Sequence, residues 1–393
     1  MNITAILDEK PFPPNHGGRV DNWRRLQAFA SEGVKIQLIF WHAEGDAPDP
    51  ESVQALGSVA ESIHAFEISR SWIARFRTLI LSRNRSLYVA TRELRKETLQ
   101  MLQNAVDGFS PDAVWIDGLF AAPLGLKIAE RSGLPAFFRP HNVESEYRQI
   151  QYERSAGIRA KAAAWLAKRN IANYELEVMN RATHIWDISL DGVKFWREKG
   201  ITNIDWLPPF IDPELTDQLN ASTERDFDLA YLGNLYTPNN MEGIKWFIFD
   251  VWPKITRKAD VRCLFAGSNP DSQILKWAQN AGITVIPNAE SASEIYSRAK
   301  ILINPILSGS GMNVKSVEML ASGKPVVTCP QGVAGMPEDV RQCFLVAASA
   351  DEFADLCLTA LESSVRRNCS ENVISKFAFS AIRPVLDEIR RHI

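Results

Sequence analysis

Lys315 and Glu318 sit three residues apart at the front of a segment with helical spacing, directly behind a loop that carries Gly309 and Gly311. Glycines leave a loop backbone free to bend and to come close to a ligand. A helix that opens behind such a loop presents N–H groups and a positive dipole end to an anion. A cation in that first turn opposes helix stability, so a bound anion accounts for Lys315. A hydroxyl-bearing group beside the anion accounts for Glu318, which shares the face of Lys315. The plainer alternative is a surface ion pair on an ordinary strand–helix unit.

Two further stretches carry candidate chemistry. Pro11–Pro14 form a rigid loop that closes through Asn15 and His16 on Gly17 and Gly18, just before a helical segment. Paired glycines at a helix start suit close approach of backbone to phosphate, although a turn that needs unusual dihedrals is also served by them. His141 follows the apolar run Pro135–Phe138 and precedes Glu144 and Glu146. A histidine at a strand–loop–helix junction beside carboxylates is a catalytic or sugar-binding candidate, and otherwise a structural residue.

The elements that position these groups alternate. The first half has strand patterns at Asn2–Leu7, Val34–Phe40, Ser62–Ile68, Ala113–Ile116, Pro135–Phe138 and Thr183–Ile188, the last taken as final. A long helix is expected from Ser145 or Asn142 as its cap to about Asn180, and Ser189 should cap Leu190–Lys199. The proline-rich stretch Leu207–Pro213 reads as a linker. The pattern then restarts with strands at Leu229–Gly233, Arg262–Ala266, Thr284–Ile286, Lys300–Asn304 and from Pro325, with a helix over Met241–Trp252 and a terminal one over Ile374–Arg391. Such alternation means parallel α/β sheets. The expected division is 1–207, 208–375 and a terminal helix over 376–393 that packs back on the first domain.

At 393 residues, two domains are the default. The net charge of −3 gives no global pull toward nucleic acid. The five cysteines form no CxxC pair and read as reduced thiols of a cytoplasmic protein without a metal framework. The first residues, MNITAILDEK, do not resemble a signal peptide, and no apolar run approaches the roughly 20 residues of a membrane span. Ser69–Lys96 is basic and amphipathic, with arginines interleaved among Trp72, Ile73, Phe76 and Leu79–Leu81. It fits the surface of an anionic membrane as well as it fits an ordinary solvated helix.

Taken together, PPNHGG (Pro13–Gly18), RPHNVESEY (Arg139–Tyr147), LGNLYTPNNMEGIKWF (Leu232–Phe247) and SGSGMNVKSVEMLASGKPVV (Ser308–Val327) resemble four motifs of the GT-B glycosyltransferases, specifically the family 4-like retaining enzymes of glycosyl transferases group 1. The resemblance implies two Rossmann-like doubly wound α/β domains facing a central cleft. It implies that Glu318 binds the ribose hydroxyls of a nucleotide-sugar and that Lys315 neutralises its diphosphate. Gly311, Met312 and Asn313 would offer backbone N–H groups, Gly17 and Gly18 would approach the diphosphate, His141 would contact the donor sugar near the reacting carbon, and Asn234 would lie in the glycine turn facing the cleft. Ser310 stands where many relatives carry a second glutamate, and Tyr236, Asn239 and Asn240 stand where an arginine–lysine pair is common.

The expected activity is therefore transfer of a sugar from a nucleotide-sugar to a glycan, glycolipid or other hydroxyl acceptor in cell-envelope or exopolysaccharide assembly, without cofactor or metal. The enzyme would be cytoplasmic and peripheral on the inner face of the cytoplasmic membrane. A sugar-nucleotide epimerase of the same fold, or a non-catalytic scaffold, are the alternatives.

Overall fold

The computed structural model describes residues 1–69, 71, 78, 86–221, 226–289, 291–309, 311–362 and 369–393. Ser310 and half of the basic stretch Ser69–Lys96 therefore lie outside the described residues. Internal contacts divide the chain into two units. One comprises Met1–Pro14, Arg25–Leu207 and Ile382–Ile393; the other comprises Asn15–Arg24 and Pro208–Ala381.

The first unit holds a seven-stranded parallel sheet. Its strands are β1 (Asn2–Leu7), β2 (Lys35–Ala43), β3 (Ser62–Ile68), β4 (Ala113–Asp117), β5 (Ala136–Arg139), β6 (His184–Asp187) and β7 (Ile204–Trp206). Their order is β3-β2-β1-β4-β5-β6-β7. The central strands β1, β2 and β4 are near-continuous apolar runs because helices cover both faces: Ile3, Ile6, Ile36, Ile39, Val114 and Ile116 are all fully buried. The second unit repeats the plan with β8 (Phe227–Leu232), β9 (Cys263–Gly267), β10 (Thr284–Pro287), β11 (Ala299–Asn304), β12 (Val326–Thr328) and β13 (Leu345–Val346). There the order is β10-β9-β8-β11-β12-β13. The chain order reverses between β1 and β4 in one sheet and between β8 and β11 in the other. At such switch points the loops at the carboxyl strand ends part and leave a crevice for a ligand. Both sheets are thus the doubly wound parallel α/β sheets expected.

Several elements depart from expectation. The long helix after β5 is three helices, Glu144–Arg154, Ile158–Lys168 and Ile171–Arg181. Gly157 (φ 83°) and Asn170 (φ 61°) turn left-handed between them, which ends each helix. Neither Ser145 nor Asn142 caps the first: Val143 occupies that position without a side-chain hydrogen bond. The buried Glu175 carboxylate accepts from the N–H groups of Glu144 (2.7 Å) and Ser145 (3.1 Å) instead. Burial raises the Glu175 carboxyl to about 7 against those hydrogen bonds. The strand Thr183–Ile188 is not the last of its sheet, because the short β7 follows. The helix expected over Met241–Trp252 begins earlier, at Pro238, and passes through a π turn at Phe247–Val251. The terminal helix is broken into Glu371–Ser375, a 3-10 turn at Phe379–Ile382 and Arg383–His392, with Pro384 in the opening turn of the last. Cys343 and Cys369 are bonded, with Cα atoms 5.5 Å apart, so the expectation of five reduced thiols fails for this pair. Cys263, Cys329 and Cys357 are free and buried.

Candidate functional site

Within the second unit, the switch point between β8 and β11 gathers the residues expected to hold a donor. After β11 the loop runs through Gly311 (φ 68°) to Asn313. Asn313 caps the helix Val314–Ala321, its side chain accepting from the N–H of Ser316 at 3.1 Å. The buried Asn304 at the end of β11 donates to the Ser316 hydroxyl at 2.9 Å and ties the helix start to the sheet. Met312, in the loop, is buried. Gly17 belongs to the same unit, and a Cβ added there would meet the Val314 side chain at 3.7 Å. Gly17 thus lies against the first turn of the helix that carries Lys315.

Lys315 and Glu318 are not the simple surface pair that their spacing allows. Lys315 Nζ donates to the Tyr231 hydroxyl at 2.9 Å and to Asn240 Oδ1 at 3.4 Å, and it lies 4.4 Å over the Tyr231 ring. These partners are neutral. Burial pushes the Lys315 ammonium down to about 7, against the upward pull of Glu318. Glu318 Oε1 instead accepts from Arg24 Nη2 at 2.7 Å, and Arg24 also donates to the Phe210 carbonyl at 3.1 Å. Burial, reinforced by the Glu318 charge, holds the neighbouring Tyr296 phenol well above its usual range, so it stays neutral.

Close backbone contacts set this geometry. A Cβ on Gly233 would stand 2.7 Å from both Lys315 Nζ and the Tyr231 hydroxyl, so glycine leaves the room that the lysine occupies. Gly243 brings the helix Pro238–Trp246 against the loop after β11: a Cβ there would fall 1.9 Å from the Pro305 carbonyl oxygen. Gly243→Ala should force that helix away and lower stability by about 1–3 kcal/mol through overpacking, read as an earlier denaturant midpoint. Asn234 stabilises its own turn. Its Oδ1 accepts from the N–H groups of Tyr236 (3.0 Å) and Thr237 (3.1 Å), and its carbonyl accepts from Asn240 Nδ2 (2.7 Å).

His141 belongs to the first unit, where it joins the buried Asp117 and Arg25 in a charge cluster. Its Nε2 donates to Asp117 Oδ1 at 2.5 Å. Asp117, at the end of β4, also takes Arg25 (Nη2 2.5 Å, Nε 2.8 Å) and the Trp115 indole N–H (3.1 Å) on Oδ2. Burial pushes the Asp117 carboxyl up, but Arg25, the His141 hydrogen bond and Arg139 outweigh it and hold the group far below the usual carboxylate range. Asp8, at the end of β1, and Asp187, at the end of β6, lack such strong pairing, and burial raises both to about 6. Arg139 is fully buried and donates to the Leu207 carbonyl at 2.7 Å, a structural tie.

The sequence reading missed Arg24, Tyr231 and Asp117. Asp117 was legible as the charged last residue of an apolar strand, the position that meets a crevice. Nothing in the spacing marks Arg24, 294 residues from its partner.

Residues 226–363 match the family described as glycosyl transferases group 1. The chain is similar to an uncharacterised 44.6 kDa protein in the cps region of Klebsiella pneumoniae, 24% identical over 364 residues and spanning 90% of this chain and 89% of that one. Among solved structures it is similar to HepE of Anabaena in complex with UDP, with TM-score 0.65, 11% identity and 100% of both chains covered. It is also similar to WaaG, a glycosyltransferase involved in lipopolysaccharide biosynthesis, with TM-score 0.57, 14% identity and 99% of both chains covered. The structural likenesses establish the fold.

Proposed function

Starting from a chain that is a group 1 glycosyltransferase of the GT-B fold, we propose that it transfers a sugar, with retention, from a nucleoside-diphosphate sugar to a hydroxyl acceptor during envelope polysaccharide or glycan assembly. The carrying observation is Lys315: a lysine in the first turn of a helix at the sheet's switch point, held by the neutral groups of Tyr231 and Asn240. Breaking the bond between the anomeric carbon and the diphosphate oxygen leaves growing negative charge on the nucleoside diphosphate. Lys315, the N–H groups at Gly311–Asn313 and the helix N-terminus stabilise that charge as it develops. The acceptor oxygen takes the anomeric carbon, and its proton leaves to the phosphate side. Glu318 takes the ribose hydroxyls, which requires the Arg24 guanidinium to share or release the carboxylate. Gly17 and Gly18 offer backbone to the diphosphate, and His141 contacts the donor sugar.

The envelope setting draws on the cps-region relative and on the lipopolysaccharide role of WaaG. HepE makes UDP-sugars the first donors to try. The same reading puts the enzyme in the cytoplasm, peripheral on the membrane through the basic stretch Ser69–Lys96. Incubation with a panel of nucleotide-sugars should release nucleoside diphosphate faster when a sugar acceptor is present, with the anomeric configuration of the donor kept in the product by NMR. A new sugar-nucleotide formed from donor alone would favour the epimerase. No thermal shift with any donor would favour the scaffold.

A further inference from the structure

The helix Ile158–Lys168 buries a single residue, Ala167. A helix of this length ordinarily draws its stability from an apolar face against the core, and neither this helix nor the preceding Glu144–Arg154, which buries no residue, has one. Here the apolar residues face outward. Ile158 is 91% exposed, Trp165 46%, and Ile150 on the preceding helix 40%. Ile158, Ala162 and Trp165 follow an i, i+4, i+7 spacing and form one stripe along the helix. Lys161 and Lys168 border the stripe on one side and Arg159 on the other, while Arg169 follows just after the helix. From Arg154 to Tyr174 the chain has five cations and no acidic residue. The ammonium groups of Lys161 and Lys168 lie over the Tyr152 ring, 5.4 and 4.4 Å from its centre, and Lys168 also donates to Gln149 Oε1 at 2.8 Å, so both must swing off the neighbouring helix to reach a lipid phosphate.

We propose that the helix Ile158–Lys168 docks flat on an anionic lipid bilayer, with Ile158 and Trp165 inserted at the headgroup–acyl boundary and Arg159, Lys161, Lys168 and Arg169 on the lipid phosphates. The charge selects the occupant. A short, acid-free stripe of apolar and cationic groups matches a negative, deformable surface whose apolar layer lies just below its charge. Tryptophan suits that boundary because its ring is apolar and its N–H is polar. The long cationic side chains reach the headgroups while their stems cover apolar surface. The proposal does not depend on the glycosyl-transfer reading, and it uses residues distinct from Ser69–Lys96. It also gives the acceptor a setting: a saccharide carried on a lipid would be met at the surface on which the enzyme rests.

The test is sedimentation of the full-length protein with vesicles, comparing phosphatidylcholine alone with mixtures containing phosphatidylglycerol. The parent should bind only the anionic vesicles and release from them as salt rises. Ile158→Glu/Trp165→Glu should weaken that binding at least about tenfold, and Lys161→Gln/Lys168→Gln should weaken it and flatten its salt dependence. Both variants should keep the parent's melting profile and its turnover of donor with a soluble acceptor. Should the glutamate pair fail to fold, Trp165→Ser with the glutamine pair provides the same comparison. Equal binding by parent and variants would overturn the proposal, as would failure of the parent to bind anionic vesicles. A parent that self-associates through this face, and becomes monomeric in the glutamate variant without a change in lipid binding, would also overturn it.

Discussion

Lys315→Ala is expected to lower kcat for sugar transfer about 100- to 1000-fold, a loss of roughly 3–4 kcal/mol of transition-state stabilisation. Lys315→Arg should not restore it. The ammonium stands where a single Cβ on Gly233 would already collide, at 2.7 Å, and a guanidinium is larger and differently shaped. The pH dependence supplies a second reading of the same residue. Burial pushes the Lys315 ammonium down to about 7, and the protonated form is the one suited to a diphosphate. With donor below saturation, kcat/KM should therefore fall as pH rises through about 7. A bound diphosphate favours the charged form, so the corresponding break in kcat should move to higher pH. Binding of the nucleoside diphosphate near pH 8 should then take up protons, which calorimetry in buffers of different ionisation enthalpy reads directly. A kcat/KM that is flat across this range would remove Lys315 from the role.

Stability should move the other way. In the unfolded chain the lysine ionises near about 10.4. Between pH 7 and that value the unfolded state binds more protons than the folded one, so the protein gains stability as pH rises through the window. Lys315→Met should flatten that slope and raise the melting temperature of the ligand-free protein at neutral pH by roughly 2–4 °C, while slowing turnover as Lys315→Ala does. A residue that destabilises its own fold and whose loss is expected to slow turnover is what a site built for charge development requires.

How much of this was legible depends on how local each feature is. The strands were readable because runs such as Ile3–Leu7 and Ile301–Ile303 are buried on both faces, which writes an apolar run into the chain. The loop Gly309–Asn313 and its helix were readable because the glycines, the apolar face and the stop at Gly323 all fall within 15 residues. The split of the helix after β5 was written at Gly157 but obscured by helix-forming residues on both sides of it. The π turn at Phe247–Val251 leaves no mark, since its residues continue the helical pattern. The pairings that set the electrostatics are made between distant residues: Arg24 with Glu318, Lys315 with Tyr231, His141 with Asp117. Spacing along the chain cannot show them, and neither could it show that Cys343 and Cys369, 26 residues apart, come within bonding reach.

The second large effect is expected at Asp117. Asp117→Asn should destabilise the protein by about 3–5 kcal/mol, because it leaves the buried Arg25 guanidinium without its counter-charge. The pH profile tests the assignment. A carboxyl held far below its usual range contributes stability that is fully present above the unfolded value of about 3.9 and is lost as pH falls toward the folded value. The parent should therefore lose this contribution in acid while the variant has none to lose, so the two melting curves should converge below about pH 4. Asp8 and Asp187, raised to about 6, act in the opposite sense in both proteins, adding stability on acidification from pH 6 toward 4. A structural role alone would end there. Replacing both partners, Arg25→Met with Asp117→Asn, removes the unpaired charge and should recover much of the lost stability. It should not recover turnover if Asp117 positions His141, because the imidazole then lacks the carboxylate that holds its Nε2–H and presents Nδ1 as the acceptor. Full turnover in the stabilised double variant would reduce Asp117 to an ion-pair partner of Arg25 and remove the case for His141 as a residue aimed at the donor sugar.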